Sequence, residues 1–228
     1  MQKTVGTRMY GTTATMALRR LTAVVGSLSI LAIGSHAACA SSETQHIVSA
    51  IEAAYRHSLD PRLLLAIGWH ESRLNPQAGQ PKQKGRPMSS AIGMWQILAA
   101  PSTLRELGIS KADRTNYDRA TPAVANYFSR QQERLRQMGI DPSPGKTYMT
   151  WNVGPGMAAA ILSAKPSETI ESIAHRMLAK YGRKFIAQWL RNNPSLYRPG
   201  MTASQIAANY ELEMTKNMMA VDRYLAEG

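Results

Sequence analysis

At 228 residues, 44% hydrophobic and 18% charged, the chain is long enough for one sizeable core, or one domain plus an extension, and too apolar to be disordered. Its formal net charge of +12 suits anionic partners, but the basic residues are spread along the chain without a cluster interleaved with aromatics, which argues against nucleic acid. Cys39 is the single cysteine, so an intrachain disulfide is excluded.

Residues 1–20 carry Lys3, Arg8, Arg19 and Arg20 and no acid, and Leu21 to Gly34 is an apolar run of fourteen residues, short of the roughly 20 that span a bilayer. Ala38-Cys39-Ala40 supplies a small-x-small cleavage pattern, with Ser35-His36-Ala37 as a second candidate. Residues 1–40 therefore read as a secretory signal cleaved near Ser41. His36-Ala37-Ala38 lacks the aliphatic residue of a lipobox, which argues against a lipid anchor at Cys39. Cleavage lowers the net charge from +12 to +8 and leaves a chain with no membrane span.

Helical periodicity dominates the chain from Ser42 onward. Ile47, Ile51, Ala54 and Tyr55 share one face of a helix starting near Ser42, with Glu43 in its first turn. Asp60-Pro61 opens a second helix, which ends at Glu71. Residues 72–92 are punctuated by Pro and Gly and kept solvated by Lys82, Lys84 and Arg86, and a small ribbon over 79–97 is the most β structure expected. Pro101 starts a short helix that Gly108 stops. Thr121-Pro122 opens another, with Val124, Tyr127, Phe128, Leu135 and Met138 inward and Gly139 at its end. Lys146 to Ala164 is a helix interrupted by Gly154-Pro155-Gly156, Ser167 caps one burying Ile170, Ile173, Ala174 and Met177, and Phe185 to Arg191 forms one more. Thr202-Ala203-Ser204-Gln205 is a capping box for a last helix with Ile206, Tyr210, Met214, Met218, Val221 and Leu225 on its apolar stripe. No segment alternates at period two, so the fold class is mostly α.

Three segments carry chemistry. Glu71 closes the apolar run Leu63 to Trp69 and is followed by 34 residues, Ser72 to Arg105, without another carboxylate. A glutamate where a buried helix meets a cleft loses hydration, its pKa rises, and it becomes able to protonate a leaving oxygen. Ser89-Ser90-Ala91-Ile92-Gly93-Met94-Trp95-Gln96-Ile97 and Tyr148-Met149-Thr150-Trp151-Asn152-Val153-Gly154 combine indoles, amides, hydroxyls and glycines. Aromatic faces cover sugar rings and amides bond sugar hydroxyls, although core aromatics and turn glycines give the same letters. His70-Glu71 lacks the second histidine of a His-Glu-x-x-His zinc site, and His46, His57 and His175 have no ligand spacing.

The order Glu71-Ser72, then Gly93-Met94-Trp95-Gln96-Ile97, then Trp151-Asn152-Val153-Gly154 resembles the soluble-type lytic transglycosylases, relatives of goose-type lysozyme, over most of 45–165. Gly154 to Ala159 and Asn193 to Tyr197 also resemble phage- and conjugation-associated members. The resemblance implies a lysozyme-like helical domain over 41–192, with 193–228 a helical extension packed on it. It implies Glu71 as general acid and base, Ser72 as a residue that orients the site, Gln96 as a glycan ligand and Asn152 as a cleft residue, with Ser90, Gly93, Met94, Trp95, Tyr148 and Trp151 lining the groove. Trp95 stands where the family usually has Met, and Trp151 where it has the Tyr whose hydroxyl touches the glutamate. An indole donates but cannot accept a hydrogen bond, and Tyr148, one turn earlier, could take that role.

The same resemblance implies a reaction without metal or cofactor. One glutamate protonates the bond between N-acetylmuramic acid and N-acetylglucosamine in peptidoglycan glycan strands, then deprotonates the muramic C6 hydroxyl, which closes on C1 as a 1,6-anhydro ring. A hydrolytic muramidase on the same scaffold would release reducing ends instead, and a noncatalytic glycan-binding component would not need the lone carboxylate. The expected setting is the periplasm, serving a secretion, conjugation or phage-derived assembly, with a monomer as the default state.

Overall fold

The computed structural model describes residues 44–79, 82–83, 86–87, 90–182, 187 and 197–227. Cys39 and the expected signal lie outside them, as does the helix expected over 185–191 apart from Ala187. The described helices are α1 (Gln45–Arg56), α2 (Pro61–Ser72), α3 (Pro101–Leu107), α4 (Tyr117–Gln137), α5 (Pro144–Asn152), α6 (Pro155–Leu162), α7 (Ile170–Tyr181) and α8 (Ala203–Glu227), with a 3-10 turn over Ala112–Thr115. The fold is mostly α, as the periodicity predicts. Strands β1 (Lys82–Gln83) and β2 (Arg86–Pro87) pair antiparallel, with Lys82 opposite Pro87, and Ile92 and Ile97 form an isolated bridge. Among the described residues no helix is long and apolar enough to cross a membrane.

The core is built around α2. Leu63 to Gly68 are six consecutive buried residues, so the helix is enclosed on every side rather than amphipathic. Each fully buried Leu or Ile there contributes about 1.5–3 kcal/mol. The Asp60 carboxylate caps the helix by accepting from the Arg62 N–H at 2.8 Å, with Pro61 in the first turn where no N–H is missed. Helix α2 packs against α1 and α8, α1 against α4, and α8 against α5.

Several boundaries differ from those expected. Helix α1 begins at Gln45, and the buried face is His46, Ile47, Ala50, Ala53 and Ala54, while Tyr55 is exposed. Alanines give α2 and α4 close approach, and the larger ring points outward. Helix α4 starts at Tyr117, not Thr121, because the Asn116 side chain accepts from the Asp118 N–H and supplies an earlier cap; Pro122 lies inside the helix. Met138, expected inward, follows the last helical residue and is exposed. Helix α5 begins at Pro144 rather than Lys146. Helix α7 is capped by Thr169 rather than Ser167, its hydroxyl accepting from the Ser172 N–H. The capping box of α8 forms as expected: Thr202 N–H donates to Gln205 Oε1 at 2.9 Å and Gln205 N–H to Thr202 Oγ1 at 3.3 Å.

A second cap is supplied from a distant part of the chain. Helix α5 has no side-chain cap of its own. Instead the Glu211 carboxylate of α8 accepts from the Gly145 N–H at 3.0 Å, the Lys146 N–H at 3.3 Å and the Ser143 hydroxyl. A negative charge on unpaired N–H groups at a helix start is favourable both as hydrogen bonds and against the helix dipole. The approach is so close that a Cβ on Gly145 would lie 2.6 Å from the Tyr210 carbonyl carbon. Substituting Gly145→Ala is expected to destabilise the protein by about 1–3 kcal/mol through overpacking, measured as a lower urea midpoint. Gly79→Ala, where a Cβ meets nothing, is the matched control and should leave the midpoint within about 0.5 kcal/mol of the parent.

Candidate active site

Glu71 is the penultimate residue of α2 and is half-buried. The helix is stopped immediately after it by two left-handed residues, Arg73 (φ 59°) and Leu74 (φ 63°). Their N–H groups bond back to Trp69 O at 2.9 Å and Gly68 O at 3.2 Å, the first being the 5→1 bond of an αL-type helix end, formed here without glycine. Each non-glycine residue in that conformation costs about 1–2 kcal/mol. Burial of the Leu74 side chain to 2% exposure offsets part of this, and Arg73 sets its guanidinium 5.3 Å over the Trp69 ring.

The Gly93-Met94-Trp95-Gln96 segment is a four-residue turn closed by the Ile92–Ile97 bridge, in which Ile97 N–H donates to Ile92 O at 3.0 Å. Gly93 must be glycine: φ is +78°, and a Cβ would collide with the Arg114 carbonyl oxygen. Ser72 Oγ donates to Met94 O at 2.8 Å and so ties the turn to the end of α2. The two can meet because Gly68 lacks a Cβ, which would sit 3.0–3.1 Å from Leu74, Met94 and Trp95. Gln96 has φ +48°, and its side-chain amide donates to Gly93 O at 2.9 Å.

The expectation that Met94 and Trp95 line a groove is corrected. Met94 is 1% exposed and Trp95 is completely buried, its indole N–H donating to Thr121 Oγ1 at 3.1 Å. The turn folds both side chains into the core, where they anchor it; Gly93 is buried with them, and half-buried Gln96 is left at the surface. Ser90 is exposed, and its hydroxyl accepts from the Ala99 N–H at 3.0 Å, bracing the stem of the turn.

Helix α5 closes the site from the other side. Tyr148, 1% exposed, donates its hydroxyl to Glu71 Oε1 at 3.1 Å. Trp151 does not take that place: its ring packs edge-on against Tyr127 and tilted against Phe128 of α4, with centroids 5.3 and 5.5 Å away. Asn152, one turn beyond Tyr148 on the same face, accepts from the Tyr210 hydroxyl of α8 at 2.6 Å.

Three contributors were not legible in the sequence. Arg114 is only 6% exposed; it donates to the carbonyls of Ser90 and Ile97 and, through Nε, to Lys111 O at 3.0 Å, clamping the stem of the turn. Tyr210 reads in the sequence as a member of an apolar stripe. His70 stacks edge-on to Tyr148 at 5.0 Å, and its Nδ1 lies 3.0 Å from Asn217 Nδ2 and 3.3 Å from Glu213 Oε1, so α8 fixes the residue before Glu71 as well. No motif spacing marks any of them, because their partners are distant in sequence.

Burial raises the Glu71 carboxyl to about 7, and the Tyr148 hydrogen bond, which favours the charged form, opposes only part of the rise. Tyr148 is itself held well above the usual phenol range, first by burial and then by the Glu71 charge, so it stays a proton donor. Among the described residues no group of three or more His, Cys, Asp or Glu is placed to hold a metal ion. The arrangement is a carboxyl poised to give a proton near neutral pH and to be stabilised by a phenol once it has done so.

A raised carboxyl in the folded state favours folding while it holds its proton, and that advantage is lost as pH rises through the folded value. For Glu71 the window runs from about 4.5, the ordinary glutamate value, to about 7. Glu71→Gln removes the ionisation. Its stability relative to the parent should therefore grow by about 1–3 kcal/mol between pH 4 and pH 8, read from thermal melts at the two values; an unchanged difference would mean that Glu71 is not desolvated.

The transglycosylase SLT domain family model matches residues 49–173, which span α2 with Glu71, the Gly93–Gln96 turn and α5. No curated protein is similar enough to match. With more than half of its length inside that match, the chain belongs to the transglycosylase SLT domain family.

Proposed function

We propose that this protein is a peptidoglycan lytic transglycosylase that cleaves the β-1,4 bond between N-acetylmuramic acid and N-acetylglucosamine, with Glu71 as the one acid and base. The observation that carries the reading is the Glu71 carboxyl itself, held at about 7 by burial rather than by a second carboxylate, with the Tyr148 hydroxyl on its Oε1. A two-carboxylate glycosidase would need a partner acid about 5–9.5 Å away. Here burial and Tyr148 are the whole account of the shift.

In the first step protonated Glu71 gives its proton to the glycosidic oxygen. The C1–O bond breaks with its electron pair going to the departing N-acetylglucosamine O4. The glutamate, now charged and bonded by Tyr148, takes the proton of the muramic C6 hydroxyl as O6 bonds to C1, which closes the 1,6-anhydro ring and restores the acid. No water enters the sugar. Gln96 at the rim of the turn is the amide best placed to meet a sugar hydroxyl, while Ser72 holds the turn against α2.

The secretory reading of residues 1–40 would direct this activity to the periplasm, on peptidoglycan glycan strands. Local opening of the wall for a secretion, conjugation or phage-derived assembly is the role proposed with it, supported by the resemblance of 154–159 and 193–197 to members of that kind.

The test is mass spectrometry of muropeptides released from purified sacculi by residues 41–228 and by Glu71→Gln. Anhydromuramyl products should fall by a factor of about 10²–10⁴ in the variant. Reducing-end products would mean a muramidase, and no products from either protein would favour a glycan-binding component. Because the first step needs the protonated acid, the parent's rate should decline above pH about 7, approaching tenfold per pH unit.

A further inference from the structure

His70 sits on α2 next to Glu71 and touches two other elements. Its ring lies edge-on to Tyr148 of α5 with centroids 5.0 Å apart, and the Tyr148 hydroxyl donates to Glu71 Oε1 at 3.1 Å. On α8, outside the segment that matches the family, Asn217 Nδ2 lies 3.0 Å from His70 Nδ1, and Glu213 Oε1 lies 3.3 Å from the same atom. Asn217 is 6% exposed and the His70 side chain 28%, so the cluster is largely withdrawn from water.

One ring nitrogen cannot serve both neighbours. Asn217 Nδ2 also donates to Glu213 O at 2.9 Å, which fixes the amide: with Oδ1 in that place two acceptors would face each other. An amide nitrogen only donates and a carboxylate only accepts. Nδ1 therefore takes the Asn217 bond only when it carries no proton, which leaves the ring proton on Nε2, and it turns to Glu213 only when it carries one. We propose that His70 is a positioning residue for Tyr148 in its neutral, Nε2-protonated form: Asn217 holds the ring against which the Tyr148 phenol is seated toward Glu71, and protonation exchanges Asn217 for Glu213 and releases that hold.

The role rests on Glu71 being the reacting acid. The charged and titratable groups that face His70 are Glu213 on α8, Arg73 and Glu71 on α2, and Tyr148 on α5. Burial holds His70 below its ordinary range; Glu213 opposes this, and Arg73 adds to it. Tyr148 keeps its proton, since burial and the Glu71 charge hold it well above the usual phenol range. The neutral ring is thus the form present at pH about 7, where Glu71 is near its midpoint.

The experiment reads the His70 ring by ¹⁵N NMR, the Glu71 carboxyl by ¹³C titration, and anhydromuropeptide release by kcat and KM, in the parent, Asn217→Leu and Glu213→Gln. Above neutral pH the parent should show a protonated Nε2 and a bare Nδ1, and the Asn217 side-chain amide signal should move as His70 takes up its proton. Asn217→Leu should raise the Glu71 midpoint by about half a pH unit and lower kcat several-fold with KM nearly unchanged, because a less firmly seated Tyr148 supports the carboxylate less. Glu213→Gln should lower the His70 midpoint and cost less in kcat above neutral pH than Asn217→Leu. A proton on Nδ1 in the parent above neutral pH, or a Glu71 midpoint unchanged in Asn217→Leu, would overturn the inference. Should Asn217→Leu fail to fold, the parent's ring assignment and the response of the Asn217 amide decide, and an amide signal that ignores the His70 titration would count against it. If no protein releases products while the titrations behave as expected, the proposed reaction fails and the positioning role stands.

Discussion

The rest of the site depends on one competition: a carboxyl group that burial pushes toward its neutral form, and a phenol that supports its charged form. Glu71 sits at the end of a helix enclosed along six consecutive residues, so the surrounding packing removes water from it before any ligand arrives. Tyr148 restores one hydrogen bond of the several that water would have given. The result is a group near its midpoint at neutral pH. That is the condition under which one residue can act as acid in one step and base in the next. Charge on a buried group disfavours folding, and the packed layers of α1, α2 and α8 supply the apolar burial that outweighs it.

Backbone strain is concentrated around the same residue. Of the four non-glycine residues with positive φ among the described residues, three are Arg73, Leu74 and Gln96, all on the two segments that border Glu71. Such conformations persist only where neighbours over-determine them. Here the neighbours are buried Leu74, Met94 and Trp95, the Ser72–Met94 hydrogen bond and the Arg114 clamp. The aromatic that reads as a sugar platform in the sequence, Trp95, acts instead as the anchor of a strained turn.

Helix α8 is tied to this arrangement at four levels along its length. Glu211 caps α5, Tyr210 meets Asn152, Asn217 and Glu213 hold His70, and Tyr224 packs on Trp69 with centroids 5.3 Å apart. Farther out, Asp222 pairs with Arg62 at the start of α2. Four of these ties hold α2 or α5 near the residues that flank Glu71, so the terminal helix acts on the geometry of the site as well as on the stability of the core.

Sequence alone is enough for the helical class, the Asp60-Pro61 start of the helix that carries Glu71, the isolation of that glutamate from other acids along the chain, and the capping box of the last helix. Each is local: a period of 3.6, a side chain reaching its own helix end, or a stretch without charge. The sequence also leaves Tyr148 as an alternative to Trp151, since the two sit within one turn of a helix. Packing chooses between them, by docking Trp151 onto Tyr127 and Phe128 and turning Tyr148 toward Glu71. It likewise buries Met94 and Trp95, sets the cap of α4 at Asn116, and brings Arg114 and Tyr210 to segments 17 to 58 residues away in the chain. Spacing within one helix fixes which residues share a face, but which face meets water and which meets a partner is set by packing between segments far apart in sequence.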